Sequence, residues 1–493
     1  MPTASLNQSA DHTQEATFHL PLPVRLALAL VAGLLLSGGY ALHPLWWAPW
    51  LAPVPLIIAY PGSHKSSLLV GGVAGAAAMI SVLDYYIGQS GWTATIVITL
   101  CRVATWVAAA KLTAASGRRL TLGAAMLALP ATVAGFELIT LIVSPHGAAG
   151  SLAYSQMDMP SLIQVAALGG VPAVVFLVLL PGSLAGLWLS RAWPRAQRLM
   201  ATCALASICL AVALFTIVRL APSVVSTVPV ALISTDRFAR IPQDWNAVWS
   251  TYRPAVEQSA RAGALVVLPE KLALLETADA ERASRTIAAT AAATGATIVA
   301  GIEVHDGQTY RNRALVATRD GRIAWYDKQR LVPGWEARDT PGDTPLIIDT
   351  AGTRTGIAIC KDMHVPSISR EYAGAAAVMA VPAWDFGQDG WMGARMTALR
   401  AVENGYAIAR SARDGLVGAY DRFGRVIVER EVAEGMTIAT TMLAVDGKAT
   451  LYGRFGDVIG WACVAIAAIL IFLTRPAGAK GREDRSAASE HLE

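Results

Sequence analysis

Between residues 24 and 220 the chain carries one apolar segment after another, separated by short polar or basic stretches. Segments of about 20 apolar residues are long enough to cross a bilayer as helices, and no water-soluble core calls for such a series. They fall near 24–42, 45–60, 66–88, 91–113, 121–143, 160–189 and 199–220, and a further one lies at 456–474. The second is short and rich in proline. Composition agrees: of 493 residues 54% are hydrophobic and only 15% charged, with a mean hydropathy of +0.45, too apolar for a soluble globular protein. The sequence therefore predicts a polar tail over 1–23, a membrane domain over 24–220, a water-facing domain over 225–450, a closing transmembrane helix over 456–474 and a second tail over 475–493, with about eight spans in all.

Basic residues orient these spans. Lys65, then Lys111, Arg118 and Arg119, then Arg191, Arg195 and Arg198, and finally Arg475, Lys480 and Arg482 fall in every second loop and at the C-terminus. Cytoplasmic loops carry that excess, so both termini are expected inside and the 225–450 domain outside the cytoplasm. The first segment follows a polar tail with Asp11 and Glu15, lacks a small-residue cleavage site and precedes more spans, so it is expected to be an anchor rather than a signal peptide. The net charge of +4 comes from the basic loops and points to no nucleic-acid partner. Trp46, Trp47 and Trp50 have the character of an interfacial aromatic belt, and Gly71, Gly72 and Gly75 that of small-residue helix packing.

Four of the five cysteines, Cys101, Cys203, Cys209 and Cys463, lie in expected spans, where cysteine is a small apolar filler. Cys360 is alone in the water-facing domain, with no disulfide partner there. A lone cysteine is more often a buried core thiol, and its surroundings have to argue otherwise. The domain reads as a layered α/β fold. Strand-like runs at 228–234, 263–270, 296–304, 313–318, 354–360, 375–383, 406–412 and 416–429 alternate with helical stretches at 246–262, 279–294 and 391–404. In layered α/β folds reactive groups gather past the C-terminal ends of strands. Three residues have that address: Glu270 ends "GALVVLPE", Lys328 ends "GRIAWYDK" and Cys360 ends "RTGIAIC".

Each of the three alone is weak, since charged residues after strands are usually solvated. Together they are a base, a cation and a nucleophile. A carboxylate takes the thiol proton, and an ammonium stabilises both the thiolate and the oxyanion formed when a carbonyl is attacked. The backbone N–H of Lys361 is a candidate second oxyanion donor. No metal site is expected, because His305 with Asp306, and His364 near Asp362, lack ligand spacing. No phosphate-binding glycine loop is present either, so no cofactor is expected.

The order Glu270, Lys328, Cys360 resembles the catalytic triad of the nitrilase superfamily, whose fold is an αββα sandwich. Coupled to the membrane spans, the chain resembles the apolipoprotein N-acyltransferase family. "YDKQRLVPGWE" is similar to that family's Lys-x-x-Leu-Val-Pro-x-x-Glu run and puts Glu336 at its second essential glutamate. "PAWDFG" with the helix and strands after it, and "SLAYSQMDMPSLIQVAALGGVPAVVFLV" at 151–178, resemble further family segments. Where the family has Cys-Tyr-Glu this chain has Cys360, Lys361 and Asp362, and "IPQDW" offers Trp245 as a match for a functional tryptophan.

The resemblance implies a bacterial inner-membrane acyltransferase that works as a monomer without a cofactor. It implies that Cys360 takes an acyl chain from a phospholipid as a thioester and passes it to the α-amino group of a diacylated lipoprotein's N-terminal cysteine. Glu336 would orient Lys328 or help position the intermediate. The segments 333–345 and 384–391, with Trp335 and Trp384, are candidate mobile arms that bind substrate; ordinary surface loops are an equal alternative. Two other readings stay open from the residues: a membrane-anchored nitrilase-type amidase, in which water resolves the thioester, and a lipid-binding or assembly protein on the same scaffold.

Overall fold

The computed structural model describes residues 20–60, 64–222 and 226–475. The expected tails, and with them Lys480 and Arg482, lie outside the described residues apart from their innermost positions.

The N-terminal half is helical. Among the described residues five helices or helical runs are long and apolar enough to cross a membrane: Leu22–Tyr40, Leu68–Arg119, Leu122–Val143, Ala166–Ser190 and Arg195–Leu220; Ala48–Ile58 and Val458–Leu473 are apolar but shorter. The count of about eight is not confirmed by length alone: the 68–119 run covers two of the expected segments, and the two shorter helices lie at two others. Residues 45–60 contain Pro49, Pro53 and Pro55 and form two short helices, Ala48–Leu51 and Pro53–Ile58, because each proline ring limits the turn before it. The 68–119 run is a helical hairpin in which His64–Ala77 packs against Leu83–Arg119 across the 3-10 turn Ile80–Val82. A Cβ added at Gly71 would lie 2.7 Å from Val107 Cα, and one at Gly75 would lie 2.6 Å from Val103 Cα, so both glycines set the interhelical approach. Gly72 faces open space.

Helix Ala166–Ser190 breaks at Gly169 and Gly170, the latter at φ 66°. There the chain has no room for a Cβ: one at Gly169 would meet Ile459 and one at Gly170 the Tyr452 ring, each at 2.5 Å. The amide of Val171, released by the break, donates to the Glu403 carboxylate at 3.1 Å. Glu403 belongs to helix Gly390–Asn404 of the C-terminal half, so a side chain from one half completes a helix in the other.

Among the described residues thirteen strands build the second half: β1 Ser226–Thr235, β2 Leu265–Val267, β3 Leu274–Glu276, β4 Thr297–His305, β5 Tyr310–Ala317, β6 Ile323–Asp327, β7 Leu346–Thr350, β8 Thr353–Ile357, β9 Val378–Trp384, β10 Ala407–Arg413, β11 Leu416–Tyr420, β12 Val426–Glu431 and β13 Met436–Val445. One sheet runs β13-β1-β2-β4-β5-β6 with β3 beside β4, and the other β12-β11-β10-β9-β8-β7. Both have parallel centres, β1-β2-β4 and β8-β9-β10, flanked by antiparallel strands. The expected run 416–429 is two strands joined by the turn 421–425.

Strand alternation sorts side chains between layers. Along β1, Val228, Val230 and Leu232 face the second sheet in a core with Ile357, Val378 and Ala407, while Ala231 and Ile233 face helices Trp245–Ser259 and Thr277–Thr294. On the far side, helix Gly390–Asn404 covers the second sheet, giving the expected order helix, sheet, sheet, helix. That outer layer is itself covered. Met379, Leu399, Val402 and Tyr406 belong to one continuous apolar cluster with Val171, Val174 and Leu177 of the broken helix.

The hairpin gives a direct test. Gly75→Ala is expected to lower the unfolding temperature in detergent by crowding Val103, at a cost of about 1–3 kcal/mol, whereas Gly72→Ala is expected to be neutral or slightly stabilising.

Candidate active site

Glu270, Lys328 and Cys360 each follow a strand, β2, β6 and β8 respectively, and the fold turns all three toward one buried point. Glu270 sits where the chain passes unusually close to β4: a Cβ at Gly301 would lie 2.5 Å from its Cα. Its Oε1 accepts from Lys328 Nζ at 2.7 Å and from Asn312 Nδ2 at 2.6 Å. Lys328 Nζ also donates to both oxygens of Glu336, at 3.1 and 2.9 Å, and Asn312 Nδ2 donates to Glu336 Oε1 at 2.7 Å. One ammonium and one amide thus hold two carboxylates together. Burial alone would lower the Lys328 pKa, but Glu270 and Glu336 outweigh it and hold the ammonium well above its ordinary value. Glu336, whose burial would raise its pKa, is pulled the other way by Lys328 and Lys271 and stays ionised.

Cys360 opens the 3-10 turn Cys360–His364 with φ +41°, a left-handed conformation costly for a residue with a Cβ. The strand therefore ends at Ile357 rather than running into the cysteine, as the apolar pattern suggested. The thiol is buried and lies 3.5 Å from the Trp384 carbonyl oxygen. Burial first, then Glu270, pushes its pKa well up, while Lys328 and Arg410 pull it down. The resting group is a thiol, so the site needs a base that takes its proton as attack begins.

Asp362 locks this turn. Its Oδ1 accepts from the Gln329 and Arg330 amides at 3.1 and 2.7 Å, and its Oδ2 from the Ile359 amide at 2.9 Å and Tyr326 Oη at 2.8 Å. One carboxylate therefore ties the cysteine's turn to the segment that follows Lys328. Burial pushes its pKa up to about 6 against the pull of those donors, which leaves it ionised at neutral pH.

The tryptophans fare differently. Trp384 contributes its carbonyl near the thiol, while its indole Nε1 donates to Asp414 at 2.8 Å and its ring stacks under Arg413. Trp335 is 61% exposed, contacts Phe386 and donates to the Gln89 carbonyl at 3.4 Å, so the segments 333–345 and 384–391 meet each other and helix Leu83–Arg119. Trp245 is not brought to the site. It starts helix Trp245–Ser259, stacks on Trp249 at 5.6 Å and belongs to the core on the opposite face of the first sheet.

Three side chains that the sequence did not single out join the cluster. Asn312 is one. Lys271, at φ +50°, turns away from its neighbour Glu270 and pairs with Glu336 at 3.2 Å, Glu303 at 3.3 Å and Asp339 at 3.0 Å. Asp385, in the quoted "PAWDFG", is paired with buried Arg410 next to the thiol. Alternation could have found Asn312, which alternates with Arg311 and Arg313, both paired with Asp327.

A sandwich with a buried glutamate, lysine and cysteine defines the class: residues 237–442 match the carbon-nitrogen hydrolase family model, and the chain belongs to that superfamily. Residues 32–184 match the model of the apolipoprotein N-acyltransferase N-terminal domain. With both halves matched, the chain is a member of the apolipoprotein N-acyltransferase family.

Among curated relatives it is 32% identical over 148 residues to an apolipoprotein N-acyltransferase of Geobacter metallireducens, a stretch covering 27% of this chain and 26% of that one. It is also 32% identical over 146 residues to an (R)-stereoselective amidase of a Pseudomonas species, covering 27% of this chain and 53% of the amidase. The chain thus matches about a quarter of one relative's length and about half of the other's. Similar solved structures include a CN-hydrolase superfamily protein from Xanthomonas campestris (18% identity, TM-score 0.38, 51% of this chain and 98% of that one). Another is an amidase from a Nesterenkonia species (21% identity, TM-score 0.39, 48% and 97%).

The lock on the cysteine's turn is testable. Asp362→Asn puts an amide group among four donors, leaves at least one of them unsatisfied, and is expected to cost about 2–3 kcal/mol in denaturant unfolding of the purified protein. Tyr326→Phe removes one bond and is expected to cost about 1 kcal/mol.

Proposed function

We propose that the protein is an apolipoprotein N-acyltransferase that moves an acyl chain from a phospholipid, through a thioester on Cys360, to the α-amino group of a lipoprotein's diacylglyceryl cysteine. The observation that carries this reading over a soluble amidase's is the docking of the cysteine's own turn on the membrane half. The Ala148 amide, in the loop after helix Leu122–Val143, donates to the His364 carbonyl at 2.8 Å, and a Cβ at Gly147 would come within 2.4 Å of that oxygen. A nucleophile built against a membrane loop suits substrates whose acyl chains stay in the bilayer.

In the first half-reaction Glu270 takes the Cys360 proton as sulfur attacks the ester carbonyl. The tetrahedral oxyanion is met by the Lys328 ammonium and the Lys361 backbone N–H. The ester C–O bond breaks, Glu270 returns the proton to the departing oxygen, and a lysophospholipid leaves. In the second, Glu270 takes a proton from the lipoprotein's α-amine, nitrogen attacks the thioester, and the C–S bond breaks to restore the thiol. Glu336 orients Lys328: both its oxygens bond the ammonium, and Lys271 holds it from behind. Trp335 and Trp384 belong to arms at the entrance, and Trp245 supports the sheet from outside.

The domain limits that go with this reading are 24–220 for the membrane domain, 225–450 for the catalytic domain and 456–474 for the closing helix. The basic loops support an orientation in the bacterial inner membrane with the catalytic domain outside the cytoplasm. Acyl donor, lipoprotein acceptor and a monomeric state complete the reading.

Intact mass spectrometry of the detergent-purified protein mixed with phospholipid checks it. A fatty-acyl adduct is expected on the native chain, absent from Cys360→Ala, formed at least about 100-fold more slowly by Glu270→Gln and Lys328→Met, and passed to the amine of an added diacylated lipopeptide. An adduct that decays only to free fatty acid would favour the amidase-type reading, and no adduct from any phospholipid would defeat the proposal.

A further inference from the structure

The chemistry above uses Lys361 only through its backbone. Its side chain is nonetheless buried, at 3% exposure, directly after the nucleophile. The site's carboxylates are committed elsewhere. Glu270 and Glu336 hold Lys328, Asp362 takes three amides and Tyr326, and Asp385 is paired with Arg410. Among the described residues its one polar partner is His146 Nδ1, at 3.4 Å, in the loop after helix Leu122–Val143. Burial and then Lys361 itself lower the His146 pKa to about 4, so that ring is neutral and supplies no counter-charge. Burial, then Lys328, lowers the Lys361 pKa to about 8, which still leaves an ammonium at neutral pH.

A buried cation without an anion is costly until something brings one. Lys361 stands at the seam where the catalytic turn meets the membrane loop, so the anion has to arrive with a molecule that also presents its reactive group to Cys360. A phospholipid does this by construction. Only glycerol carbons separate its scissile ester from its phosphodiester, and the phosphodiester carries the negative charge.

We infer that the Lys361 side chain, held at the seam by His146, binds the donor's phosphodiester and makes phosphate-bearing lipids, rather than neutral diacylglycerols, the acyl donors. This rests on the phospholipid-donor reading above and adds to it a specificity determinant. The contact is a charge-assisted hydrogen bond in a water-poor site, where such bonds are strongest. The polar partner from the membrane half fixes the amine's direction, so the phosphate and the ester reach their two partners in one pose.

The test uses the full chain in detergent, offered phosphatidylglycerol or a 1,2-diacylglycerol with the same acyl chains, and follows the thioester mass on Cys360. Native protein is expected to be acylated at least about tenfold faster by phosphatidylglycerol. Lys361→Met and Lys361→Gln are expected to bring the ratio of the two rates near one, mainly through a raised KM for the phospholipid, and Lys361→Arg to keep it high. Two neutral variants of different polarity, each checked for an unchanged unfolding temperature, separate loss of the contact from loss of the fold. Equal rates on both donors in the native protein, or a neutral variant that keeps the preference, would overturn the proposal while leaving the acyl-donor reading standing. No thioester from either donor would overturn both.

Discussion

Everything at the centre of the catalytic half depends on how one buried ammonium is neutralised. Lys328 is almost wholly out of water, and a lone charge there would be prohibitively costly. Two carboxylates from separate segments, Glu270 after β2 and Glu336 in the segment beyond β6, make it tolerable only by converging on the same nitrogen. That convergence in turn needs Asn312 to bridge the carboxylates and Lys271 to balance Glu336. The cluster therefore does two things at once: it ties the ends of β2 and β6 and the inward face of β5 to the segment beyond β6, and it leaves a cation facing the thiol. Arg410 and Asp385 repeat the arrangement on the cysteine's other side.

The membrane half acts as a further layer of the sandwich. Helix Gly390–Asn404 is amphipathic in the ordinary way toward the second sheet, yet its other face is also covered, by helix Ala166–Ser190, and nearly all of its residues are buried. A helix buried on nearly every side belongs inside a larger core, and its charged residues Arg400 and Glu403 are paired with each other there. The cysteine's turn sits at the edge of that contact, which is why its neighbours include a histidine from a membrane loop.

What the sequence made legible was local. Glu270, Lys328 and Cys360 could be found because strand alternation and its interruption are short-range signals, and each residue stands just past such an interruption. Glu336 stood out only through the family's spacing after Lys328, since nothing in a loop rich in glycine, proline and aspartate marks one carboxylate as buried. Lys271 was hidden by its neighbour, since a lysine beside a glutamate has the look of solvated surface, whereas Asn312, between two arginines, was marked by strand alternation alone. Trp245 was misdirected by motif likeness, because a helix's first turn can bury a tryptophan against Trp249 as readily as a pocket can. Span counting from hydropathy does not register how prolines divide a segment, as at 45–60, where two short helices stand in place of one long one.

The break at Gly169 and Gly170 joins the halves in a way that sequence similarity treats as two separate matches. The Val171 amide has lost its helical partner, and Glu403, itself ion-paired with Arg400 at 3.0 Å, takes that place. Neither end is self-sufficient: without Glu403 a bare amide is left inside the helical block, and without the break Glu403 Oε1 loses its donor and keeps only the Arg400 pairing on its other oxygen. The two halves are therefore a matched pair for the purposes of inheritance and engineering. A chimaera that takes its helices from one relative and its sandwich from another has to carry the glycines and the glutamate across together.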